Sequence, residues 1–181
     1  TIKKSAFFDH WDDNKLILKS PVKEYAMSNV LIINCGSSSI KFALLLKEQN
    51  FRIHGLAENL GTPEARIKGV TLGNQPVDIK IPNADHKEAL EVGLSRLANH
   101  KPDAIGHRIV HGGEKFAGSV ILTEEVMQAI EECNDLAPLH NPAHALAMRA
   151  CTKVFGENVP QVATFDTAFH QTMPEKAYMY G

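Results

Sequence analysis

The chain has 181 residues, 44% hydrophobic and 22% charged, with 19 Lys+Arg against 21 Asp+Glu and a formal net charge of −2. That balance fits a soluble globular protein able to bury on the order of 70% of its unfolded surface, and it excludes a strongly basic nucleic-acid binder or an acidic disordered tail. No apolar run is long enough to cross a bilayer, and three widely spaced cysteines (Cys35, Cys133, Cys151) without a CxxC argue against a disulfide framework or zinc knuckle and for a reducing cytoplasm.

Residues 1–26 set Phe7, Phe8 and Trp11 beside Asp9, Asp12 and Asp13, then run basic to Tyr25. They lack the apolar core of a signal peptide and read as an appendage, with an aromatic docking segment as the alternative. From Ser28 the pattern is mixed α/β. Strands are expected over 30–33 and 40–46, joined by the polar turn 34–39, and again over 51–57, 66–70 and 77–81. Asp85 followed by Glu88 predicts a capping box for a helix to about Asn99. A strand over 104–110 runs into Gly112-Gly113. Thr123 caps a helix over 124–135, and Asn141, before Pro142, is the expected N-cap of a helix that stops at Gly156. A short strand over 161–165 delivers Asp166. This order predicts a mixed sheet with helices packed on it.

The turn Asn34-Cys35-Gly36-Ser37-Ser38-Ser39-Ile40-Lys41 holds one glycine, three hydroxyls, an amide and a lysine. Gly36 allows close approach, the serines and exposed amides suit an anion, and Lys41 suits a phosphate oxygen. It is neither a Walker A loop nor GxGxxG, and a solvated serine-rich turn is the alternative. Arg108, expected to be mostly buried, needs an anionic partner: a bound carboxylate or phosphate, or an internal salt bridge. His107 and His111 lie in an extended run, which argues against a metal pair. His140 precedes a helix N-terminus, where it serves an oxyanion or the fold; His144 is read as structural. Asp166, at a strand end, holds a magnesium ion, orients a reacting group or braces a loop.

Four segments, VLIINCGSSSIK (30–41), GHRIVHGGE (106–114), LAPLHNP (136–142) and TFDTAFHQ (164–171), together resemble the acetate kinase family, in its motif order. The resemblance implies an RNase H-like α/β domain of the actin/Hsp70/sugar kinase type. It implies magnesium- or manganese-dependent phosphoryl transfer between ATP and acetate, giving acetyl phosphate and ADP. Carried over by position, Asn34, Gly36, Ser37, Ser39 and Lys41 line the phosphate turn. Arg108 holds acetate and the transferring phosphoryl, His140 bonds the phosphoryl, and Asp166 either serves the metal, with Asn34, or positions the substrate. Val110 and Leu139 border the acetate methyl.

The resemblance also sets the expected organisation: residues 1–27 an appendage, 28–166 the N-terminal domain, 167–181 the start of a second domain. That second domain would hold the adenosine pocket, further catalytic His, Arg and Glu, and most of the family's homodimer interface. Dimerisation of this chain is left open, and the isolated chain is expected to be inactive. Expected partners are acetate and ATP, without nucleic acid or membrane. Propionate or butyrate kinase, or a folded non-catalytic fragment, are the alternatives; a metal module built on the nine histidines lacks ligand spacing.

Overall fold

Alternation in the first strand decides which face of the sheet is covered. β1 (Val30–Cys35) buries Leu31, Ile33 and Cys35 while Val30, Ile32 and Asn34 stay half-buried, the period-two pattern of a strand with one face on the core. The structure, a computed structural model, describes residues 29–46, 51–71, 74–112, 116, 118–136, 138 and 140–166. The expected appendage, the expected start of a second domain, Leu139, Gly113 and Glu114 lie outside the described residues.

An antiparallel meander follows: β2 (Ile40–Leu46), β3 (Phe51–Glu58), β4 (Arg66–Val70) and β5 (Pro76–Lys80). α1 (His86–Leu97) then crosses the covered face. Its capping box is formed as expected, with the Asp85 carboxylate accepting the Glu88 N–H at 2.9 Å and the Glu88 carboxylate accepting the Asp85 N–H at 3.0 Å. β6 (Ala104–Ile109) pairs parallel to β1. β7 (Val120–Ile121), α2 (Glu124–Glu132) and α3 (Asn141–Phe155) lead to β8 (Gln161–Phe165), which pairs parallel to β6. The sheet order is β5-β4-β3-β2-β1-β6-β8-β7. Among the central strands β1, β3, β6 and β8 run one way and β2 the other.

α1 and α3 pack on the covered face. Leu90 and Leu94 of α1 and Ala147 and Cys151 of α3 share one core with Leu31, Ile33, Ile40 and Leu44. A second cluster puts Ile130 of α2 and Met148 of α3 against Ile109, Ala163 and Phe165. Lys41 and Thr164 are exposed and Arg108 half-exposed, on the opposite face. The mixed sheet with helices packed on it is therefore observed.

The differences from expectation are local. β1 runs on to Cys35, so Asn34 belongs to a strand and the turn shortens to 36–39. The helix expected over 124–135 ends at Glu132 and passes into a 3-10 turn at Asn134–Leu136. β7, a two-residue edge strand, was too short to carry a periodic signal. α3 begins one residue earlier than its proline implied, with His140 in the cap position, and ends before Gly156 at φ 90°, a conformation that favours glycine.

Candidate active site

The carboxyl ends of the parallel strands β1, β6 and β8 meet at one edge of the open face, the usual place for a ligand in such sheets. Register sets the residues there: Asn34 pairs with Lys41 on one side and Arg108 on the other, and Arg108 pairs with Thr164. Asp166 follows β8 directly. Arg108 donates Nε–H to Asp166 Oδ1 at 2.9 Å and Nη2–H to Oδ2 at 2.7 Å, a two-pronged pair, and Nη1–H to Asn34 Oδ1 at 3.3 Å. The Arg108 and Asp166 side chains are 39% and 37% exposed. Arg108 is thus less buried than its apolar run suggested, because period-two alternation turns it to the open face between buried His107 and Ile109. The internal salt bridge is formed, and both of its partners remain open to solvent.

The β1–β2 turn closes through the Gly36 N–H donating to the Ser39 carbonyl at 2.7 Å, with Ser37 and Ser38 exposed at its tip. The Ser38 carbonyl accepts from the Leu60 N–H at 3.1 Å, tying the turn to the chain after β3. A Cβ on Gly36 would stand 3.1 Å from Ser39 Oγ. The glycine therefore serves close packing within the turn. Val110, just past β6, is half-buried. His140 caps α3 without a side-chain hydrogen bond to it, and its ring lies 6.4 Å from that of His144.

Beneath these groups lies a buried polar layer that the residue pattern only partly announced. His144 is structural, as expected: its Nε2–H donates to the Cys35 carbonyl at 2.9 Å, and burial pushes its pKa down to about 4. His107 donates to Gln161 Oε1 at 2.7 Å and is likewise pushed by burial to about 4, Gln161 opposing. The Gln161 amide continues to Thr152 Oγ1 at 2.7 Å. Asn141, the expected N-cap, is fully buried instead. Its Nδ2 donates to the carbonyls of His111 and Cys133 at 3.0 and 3.2 Å, locking the start of α3 to the exits of β6 and α2. Gly112 is needed for close contact rather than for a left-handed backbone, since a Cβ there would come within 2.5 Å of the Phe165 ring, which stacks on Phe116 at 4.8 Å. Cys35, Cys133 and Cys151 are free and buried; burial raises the Cys35 thiol to about 12, which leaves it inert at neutral pH.

The exposed fork of Arg108 matches the two oxygens of a carboxylate or phosphoryl group. The oxygens of Asp166 and Asn34 are hard donors that suit magnesium, an ion commonly held by one carboxylate plus phosphates and water. Among the described residues no group of three or more His, Cys, Asp or Glu stands ready for a metal, and no helix is long and apolar enough to cross a membrane.

Fold and site together define an RNase H-like domain of the actin and sugar kinase type, with the Arg108–Asp166 pair open to solvent at its strand ends. The chain belongs to the acetokinase family, which residues 29–181 match. It is 50% identical over 163 residues to the acetate kinase of Agathobacter rectalis, covering 84% of this chain and 41% of that protein. The crystal structure of Porphyromonas gingivalis acetate kinase matches with a TM-score of 0.72 at 42% identity, over 86% of this chain and 41% of that one. A propionate kinase from Francisella tularensis matches with a TM-score of 0.71 at 42% identity, over 83% and 40%. The chain therefore spans about two-fifths of the length of these relatives.

Proposed function

We propose that this chain supplies the acyl-anion side of an acetate kinase, transferring a phosphoryl group reversibly between ATP and acetate. The observation that carries the reading is the solvent-open Arg108–Asp166–Asn34 cluster at the strand ends of a chain in the acetokinase family.

In the forward direction an acetate oxygen attacks the γ-phosphorus and the ADP oxygen leaves in line. Such a transfer asks the protein for positioning and charge neutralisation more than covalent work. Arg108 exchanges Asp166 for the acetate carboxylate, then follows the charge onto the phosphoryl oxygens. His140, uncommitted to the helix it precedes, donates to an equatorial oxygen. The Ser37–Ser39 turn and Lys41 hold phosphate oxygens, with Gly36 keeping the turn compact. Val110 and Leu139 border the methyl group. A divalent cation, magnesium or manganese, held by Asp166 and Asn34 would neutralise phosphate charge. Cytoplasmic residence accords with a nucleotide substrate and three free thiols.

The propionate kinase among the structural matches favours a second reading, propionate as acceptor. One methylene changes binding by about 1–3 kcal/mol, so the same residues serve either acid. Residues 29–181 grafted in place of the matching segment of the Agathobacter rectalis enzyme test both. The chimera should form acetyl phosphate, trapped as the hydroxamate, with kcat/KM for acetate above that for propionate. A folded chimera inactive on both acids contradicts the proposal.

A further inference from the structure

The anion turn is held from behind by two helices. His86, in the first turn of α1, donates Nε2–H to the Gly36 carbonyl at 2.8 Å. His144, from α3, does the same for the adjacent Cys35 carbonyl at 2.9 Å. A tight hairpin ordinarily closes with two reciprocal backbone bonds, here Gly36 N–H to Ser39 and Ser39 N–H to Gly36. Only the first is formed, at 2.7 Å; the Gly36 carbonyl goes to His86, and the Ser39 N–H has no hydrogen-bond partner among the described residues. Peptide planarity adds a second consequence. The Gly36 C=O and the Ser37 N–H belong to one trans peptide, so turning the carbonyl toward α1 turns the Ser37 N–H away from it.

We infer that His86 is a positioning residue: by occupying the Gly36 carbonyl it leaves the Ser37 and Ser39 amides to bind a phosphate oxygen. The inference rests on the reading of this turn as the phosphate site. Two neighbouring amides released from internal bonding form a nest for an anion, and His86 decides whether the nest is open or closed on itself. His86 lies in a helix already secured by its Asp85–Glu88 capping box, so its replacement leaves the helix start intact. His144 fixes the Cys35 carbonyl at the end of β1 and keeps that strand in place, so loss of His86 acts on one peptide.

Amide-resolved NMR of the 181-residue chain titrated with inorganic phosphate provides the test. Wild type should show saturable shifts at Ser37 and Ser39. His86→Leu should weaken phosphate at least about fivefold and slow Ser39 amide exchange as that N–H closes on the freed carbonyl. His86→Gln, which restores a side-chain N–H, should return the affinity to within about twofold of wild type. A folded His86→Leu chain with wild-type phosphate affinity and unchanged Ser39 exchange overturns the inference while leaving the phosphate reading intact. No phosphate response at Ser37 and Ser39 in wild type overturns both.

Discussion

The geometry of Arg108 makes a sharp demand on the proposed transfer. The two bonds to Asp166, at 2.9 and 2.7 Å, use the planar spacing of Nε and Nη2. Lysine keeps the charge but offers a point donor that cannot span two oxygens. In the Agathobacter chimera, Arg108→Lys should therefore cut turnover with acetate by about 10²-fold or more, with folding unchanged. Turnover near that of the parent chimera would assign Arg108 to structure alone. Arg108, Asp166 and Asn34 were legible as ligand-type residues, because a cation in an apolar strand needs an explanation. His86 and Asn141 were not. Their partners include backbone carbonyls 50 and 30 residues away, and no local pattern encodes such a partner. Asn141 before Pro142 even carries the signature of a cap, a role the buried site overrides.

Elements were easier to read than their junctions. Strong β-branched runs and the Asp85 and Thr123 caps placed most strands and two helix starts, since their signals are local. The end of α2, the entry to α3 and β7 were misplaced or unseen because tertiary contacts set them. The entry to α3 makes this measurable. Asn141→Leu is close to isosteric and strips buried donors from the His111 and Cys133 carbonyls. It should cost about 2–4 kcal/mol, read from urea denaturation. Acid should loosen the same layer. His107 in β6 and His144 in α3 are held neutral, with folded pKa values of about 4 against an ordinary 6.5. The unfolded chain takes up protons first, so their contribution is complete above pH 6.5 and is lost as pH falls toward 4. The slope reaches at most about 1.4 kcal/mol per pH unit for each histidine. Urea midpoints between pH 7 and 5 should fall accordingly, and His107→Gln should remove about half of that dependence. A flat profile would mean that neither ring is held neutral in the folded protein.

At the scale of the whole molecule, one division explains the rest. Helices cover one face of the sheet with Leu31, Ile33, Ile105 and Ala163 beneath them, and the other face carries Asn34, Lys41, Arg108 and Thr164. The class of fold was legible from the order of elements, whereas the division of residues between faces became readable only with strand register, because a shift of one residue inverts it. The proposed function requires that this open edge bind an anion through the Arg108 fork. The side-chain Nε–H resonance of Arg108, followed during phosphate titration of the 181-residue chain, reports that binding. That resonance should show a saturable shift as phosphate displaces Asp166, with the Arg149 signal, paired to Glu131 on the far helices, unmoved. An Arg108 resonance that stays in place while phosphate reaches saturation elsewhere on the chain would contradict it.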